Sequence, residues 1–118
     1  MTRASIAEEL AVWTPLTPTV FFLLLALVNG PRHGYAIMKR SAELSEGRVR
    51  MGPGALYTTI QRLAEAALIE EVDATPEDSR RRLYRLTAAG KSLLAFEVDR
   101  LESVVKTART LKLKPLSR

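Results

Sequence analysis

Hydrophobic residues along this chain are grouped in stretches of different period, and each change of period marks a new element. The stretch from Val20 to Val28 is uninterruptedly apolar. As a helix it would extend only about 14 Å, against a hydrocarbon core of about 30 Å. It therefore predicts a buried core helix and not a membrane span. Thr17 stands at its N-cap, Pro18 at the first helical position, where a missing N–H costs nothing, and Asn29-Gly30-Pro31 stops it. Ahead of it, Ser5-Ile6-Ala7-Glu8 has the capping-box pattern, and Ile6, Leu10 and Trp13 recur at i, i+4 and i+7. A short amphipathic helix ending near Pro15 is expected. Two helical turns are marginal alone in water, so the stripe needs cover, and a partner subunit is one source of it.

Helical periodicity resumes after Pro31. Gly34 to Glu46 carries Ile37, Ser41 and Leu44 on one face and Lys39, Arg40 and Glu43 on the others, and stops at Gly47. Gly52-Pro53-Gly54 opens a third core helix with Leu56, Ile60, Leu63 and Ala67 turned inward. Thr58 lies opposite them, Ala55, Gln61, Arg62 and Glu65 also point outward, and Tyr57 and Thr59 flank. The outward face is thus small and hydrogen-bonding. The period then falls to two: Leu68–Asp73 and Arg82–Leu86 read as strands joined by the turn-forming stretch Ala74–Ser79, which makes one hairpin. Thr87 resembles another N-cap, and the chain is helical again from Ala88 to about Leu111. On that helix Leu94, Val98, Leu101, Val105 and Ala108 are spaced alternately by four and three, a heptad seam that asks for a second helix.

The expected fold class is mainly α with a small β-hairpin. Residues 1–15 form an N-terminal arm, 16–87 a unit of three helices and a hairpin, 88–112 a long C-terminal helix and 113–118 a tail. Three core helices followed by a hairpin is the winged helix-turn-helix arrangement, here extended by a helix suited to dimerisation.

Composition narrows the chemistry. With 118 residues the chain can bury one modest core. A net charge of +5 favours anionic partners. There is no cysteine, which excludes disulfides, thiolate metal sites and cysteine nucleophiles, and nothing points to an oxidising compartment. A signal peptide is not expected, because the apolar run starts late and follows Glu8-Glu9; the cytoplasm is the expected compartment. With one histidine and no acids at a ligand-like spacing, no metal, no cofactor and no catalytic pair is expected, so the chain does not read as an enzyme. Gly90-Lys91-Ser92 is similar to the end of a phosphate-binding loop, but Arg85 stands where that loop needs its first glycine.

DNA fits the pattern better. A major groove about 12 Å wide accepts a helix, and short polar side chains and arginines read base edges there. The candidate contacts are Gly54, Ala55, Tyr57, Thr58, Thr59 and Arg62 on the third helix, and Tyr35 and Lys39 on the second. In the wing, Arg80, Arg81 and Arg82 would hold phosphates, which supply affinity rather than sequence information. The plainer alternatives are a solvated strand face for these arginines, core packing with wet hydroxyls for Tyr57 and Tyr84, and a loop or capping role for His33.

Four segments in order resemble the PadR family of winged-helix transcriptional regulators: His33-Gly34-Tyr35-Ala36-Ile37, Gly54-Ala55-Leu56-Tyr57-Thr58-Thr59-Ile60-Gln61-Arg62-Leu63, Leu68-Ile69, and Arg82-Leu83-Tyr84-Arg85-Leu86-Thr87-Ala88-Ala89-Gly90. The resemblance runs from about Leu16 to about Leu94. It implies a homodimeric repressor on a palindromic operator in double-stranded DNA, with Tyr57, Thr58 and Thr59 facing DNA and Arg62 beside them. A single helix after the wing resembles the short subfamily, in which that helix dimerises. Ile6, Leu10 and Trp13 join Leu94, Val98, Leu101, Val105 and Ala108 as candidate dimer contacts. Two positions depart from the family, Thr58 where proline is frequent and Ala67 where glycine is frequent. Some short members bind flat aromatic drugs through a tryptophan on the last helix, but here Phe96 is that helix's only aromatic, so the drug site does not carry over. Two alternatives remain: a winged-helix module that docks a protein, and a ligand sensor in which Trp13, Phe21, Phe22 and Phe96, with Ile6 and Leu10, line an apolar cavity between subunits for a small hydrophobic or aromatic effector.

Overall fold

A computed structural model describes residues 10–72 and 82–115. The capping box at Ser5–Glu8, Ile6, the turn at Ala74–Ser79, Arg80 and Arg81 lie outside the described residues. Residues 10–13 are helical and lead into α1, Pro18–Ala26, whose amide at Val20 donates to the Thr17 hydroxyl at 3.2 Å as the sequence predicts. The helix stops at Leu27, short of the expected Val28. The Arg32 guanidinium takes over there, its Nε donating to the Ala26 carbonyl at 2.7 Å, which satisfies one of the acceptors a helix end leaves open.

Arg32–His33 form β1, a strand the sequence reading lacks. Two residues are too short to show a period, and their partner, β3, lies some fifty residues away, so the strand exists only through tertiary pairing. The expected hairpin is present as β2 (Ile69–Glu71) and β3 (Leu83–Leu86), with Ile69 opposite Leu86, Glu70 opposite Arg85 and Glu71 opposite Tyr84. Instead of a lone hairpin, the result is an antiparallel sheet of order β1-β3-β2.

Between them, α2 (Gly34–Leu44) ends through Glu46 and Gly47, both at positive φ, and α3 (Pro53–Glu65) ends through Ala67 at φ 58°. At the second ending the Leu68 amide donates to the Leu63 carbonyl at 2.9 Å, the long bond of a Schellman turn. This corrects the placement of Ala67: it is exposed in the turn, not turned inward with Leu56, Ile60 and Leu63, because the helix ends two residues earlier. The left-handed φ also supplies the physical reason why glycine suits this position.

The core forms around α1. Leu23, Leu24, Leu27, Ile37, Leu56, Leu63, Ile69 and Leu93 are fully enclosed. The long helix α4, Ala88–Thr110, starts at Thr87, whose hydroxyl accepts from the Gly90 amide at 3.0 Å and donates to the Ala67 carbonyl at 2.6 Å. Its first turn is pressed against the sheet so closely that a Cβ on Gly90 would stand 2.0 Å from the Leu68 carbonyl oxygen. Only glycine fits. Beyond Glu97 the helix leaves the core and its side chains are largely exposed.

Candidate nucleic-acid interface

Leu56, Ile60 and Leu63 anchor α3 in the core and thereby turn Thr58 outward, as helical phasing requires. Gly54, Ala55, Tyr57 and Thr58 are exposed, and Thr59 is half-buried with its hydroxyl donating to the Ala55 carbonyl at 2.7 Å. The start of α3 is bare. Gly52 caps it without a side-chain hydrogen bond, and a Cβ at Gly52 or Gly54 would meet nothing within 4 Å. An open helix N-terminus with free backbone donors is suited to an approaching phosphate.

Tyr57 joins this helix to its neighbours. Its hydroxyl lies 2.6 Å from the point where a Cβ on Gly34 would stand, so the bare Gly34 gives the Tyr57 ring its place against the start of α2. Tyr57 also shares a surface cleft with Glu71, Arg82 and Tyr84, which places α3 beside the base of the hairpin. Burial, and then the charge of Glu71, hold the Tyr84 phenol above its ordinary pKa, so it stays protonated at neutral pH. Tyr35 and Lys39 are exposed on α2. The turn between the two helices adds Arg48 and Arg50, exposed cations that the sequence reading did not single out. Arg50 Nε donates to the Gly47 carbonyl at 3.1 Å. Their signal was their position in the turn between the second and third helices.

The described wing arginines are already engaged. Arg82 lies 3.7 Å from Glu71, and Arg85 lies 2.8 Å from Glu70, its cross-strand partner. Arg62 follows Thr58 by one helical turn, but its guanidinium is drawn toward the N-terminal segment. It stands on the last turn of α3 with its guanidinium 5.7 Å from the centroid of the Trp13 ring.

The candidate dimer residues divide in two. Leu94 packs into the chain's own core, and Leu10 and Trp13 lean on it. Val98, Leu101 and Val105 are exposed at 41%, 36% and 48%, with Val104 and Phe96 also uncovered and Ala108 half-buried. The four aromatic effector candidates do not line one cavity within the chain. Phe21 and Phe22 stack edge to face at 5.3 Å, Trp13 lies against Arg62, and Phe96 faces outward. The more apolar cleft, about 350 Å³, is lined instead by Leu25, Val28, Leu86, Leu94, Ala95 and Val98, with Lys91 and Asp99 at its edge.

A buried acid is the residue most clearly missed by sequence reasoning. Glu97 is 1% exposed, accepts from the Leu16 amide at 2.7 Å and is clamped by Arg100 through both carboxylate oxygens. The hydrogen bonds from Arg100, with that from Leu16, outweigh burial and hold its pKa below the usual glutamate range. Its signal was an acid three residues after Leu94 and four before Leu101, on the apolar side of the helix. Among the described residues no group of side chains could hold a metal ion, and no helix is long and apolar enough to cross a membrane.

Residues 23–96 match the family described as Transcriptional regulator PadR-like. The chain belongs to the PadR-like family. A protein encoded in a transposon of Streptomyces fradiae is 40% identical over 75 residues, covering 64% of this chain and 20% of the relative. A transcriptional regulator of Mycobacterium tuberculosis is 34% identical over 64 residues, covering 54% of this chain and 60% of the relative. The chain thus spans only part of the length of either. Among solved structures, a PadR family regulator of Clostridium difficile superposes with a TM-score of 0.67 at 20% identity, covering 82% of this chain and 100% of that one. A Bordetella bronchiseptica protein whose DNA binding is regulated by 6-hydroxynicotinic acid superposes at 0.62 and 22% identity, covering 89% and 78%. These two likenesses concern the fold. The family is one of transcriptional regulators, and the chain shares the winged-helix fold of its solved members.

Proposed function

We propose that this PadR-like regulator is a repressor that binds a palindromic operator as a homodimer. The observation that carries the reading is the pairing of two surfaces on one shared core. One is the small, hydrogen-bonding face of α3 with its bare N-terminus; the other is the uncovered apolar side of α4 beyond Glu97. Ala55, Tyr57, Thr58 and Thr59 read base edges, while Lys39 and Arg82, with Arg80 and Arg81, hold phosphates. Val98, Leu101, Val105 and Ala108 meet their copies across a two-fold axis, which gives half-sites one helical turn, about 34 Å, or a multiple of that apart. Duplex titration at several salt concentrations is the test. Replacing Arg82 by Ala lowers the slope of affinity against salt by about one if it touches a phosphate. Absence of duplex binding at low salt would favour a protein-docking module instead.

An effector completes the reading. The cleft beside Leu94 and Val98 shares Val98 with the seam, so a small hydrophobic or aromatic compound seated there would alter how two α4 helices meet and release the operator. Regulation of the Bordetella relative's DNA binding by a small aromatic acid supports this by analogy.

A further inference from the structure

Residues 13–16 are tied at their two ends to two different helices. At one end the Trp13 ring lies against the Arg62 guanidinium, on the last turn of α3. At the other the Leu16 amide donates to Glu97 on α4. Between them Thr14 donates through both its amide and its hydroxyl to the Ala11 carbonyl, at 3.1 and 3.0 Å, which ties the segment to the helical turn before it. Leu10, Trp13 and Leu16 also lean on the core, so this segment packs on its own chain.

The Glu97 anchor is more than packing requires. An apolar side chain of similar size would fill the same space without taking a charge out of water. What the carboxylate adds is direction: it ties one particular backbone amide to one particular turn of α4, with Arg100 holding both oxygens. The other anchor is a cation–π contact, weaker than the first but directed at one face of the indole.

We propose that residues 13–16 form a strap that sets the orientation of α3 against α4, with Trp13, Arg62 and Glu97 as positioning residues for DNA reading. The proposal rests on the dimeric DNA-binding function given above. In a dimer joined through α4, the angle between α4 and α3 decides where each recognition helix meets its half-site. The strap therefore governs the half-site spacing that the dimer accepts, and Arg62 works through Trp13 and not on a phosphate.

Two measurements on the full chain test it, using variants whose circular dichroism matches wild type. Trp13 is the single tryptophan, so its emission and iodide quenching report the strap without DNA. Glu97→Gln changes both in the same sense as Arg62→Ala; wild-type emission in Glu97→Gln would show that the ends are uncoupled and overturn the proposal. The second measurement compares affinity for a selected operator with affinity for the same duplex carrying one inserted base pair between half-sites. Trp13→Ala and Glu97→Gln lower that ratio about two- to fivefold, Trp13→Phe restores most of it, and Arg62→Ala is non-additive with Trp13→Ala and keeps the wild-type salt slope. Equal losses on both duplexes, or a slope reduced by about one in Arg62→Ala, overturn the strap. If wild type binds no duplex at low salt, the DNA-reading function fails, and the fluorescence result alone decides the strap.

Discussion

Gly90 has no room for a side chain, because the Leu68 carbonyl occupies the place of its Cβ. Gly90→Ala must push backbone apart where α4 meets the sheet, and a loss of about 3 kcal/mol is expected in urea unfolding. Ala67 presents the opposite case, an L residue at φ 58° in an exposed turn. Ala67→Gly relieves that conformation and should add about 1 kcal/mol in the same assay, with the fold unchanged. Glu97 carries a pH dependence whose sign follows from its lowered pKa. Its stabilising contribution is complete above the unfolded value of about 4.3 and is lost as pH falls through the lower folded value. Acid unfolding followed by circular dichroism should therefore show a component below that point in wild type. Glu97→Gln should lack it.

Among the elements, the wing and α4 make the clearest predictions. In the proposed DNA contact Glu71 competes with a phosphate for Arg82, so Glu71→Gln should free a cation at the base of the wing and tighten duplex binding at low salt, with the gain shrinking as salt rises. In the proposed dimer Leu101→Glu puts a charge in the middle of the exposed side of α4, and sedimentation should show wild type as a dimer and the variant shifted to monomer at the same concentration. These elements were unequally legible in the sequence. The caps at Thr17 and Thr87, the inward trio of α3 and the hairpin were readable because each depends on neighbours close in the chain or on a period. Strand β1 was not, since its pairing comes from β3 alone. The early end of α3 was not either, because Ala67 gives none of the signal that a glycine would have given. Of the candidate interface, the outward face of α3 followed from phasing. The placement of Arg62 on Trp13 and of Glu97 on Leu16 depends on how distant segments pack, which no local pattern encodes.

For the molecule as a whole, the proposed reading surface and the proposed dimer seam lie on α3 and α4, helices joined through one core, and the proposed function needs both. A single winged unit has too few base contacts to select a site among many competing sequences, and two units joined through α4 gain a second half-site at a fixed distance. The charge of +5 supplies attraction to any duplex, so affinity for bulk DNA is a weak test. Sequence enrichment is a strong one. Selection of bound sequences from a random duplex pool at physiological salt should yield an inverted repeat whose half-site centres lie one helical turn or a multiple of that apart, with Thr58→Ala altering the preferred bases and leaving the spacing intact. An unenriched pool, or a single asymmetric site bound by a monomer, would contradict the account of a symmetric DNA-reading dimer.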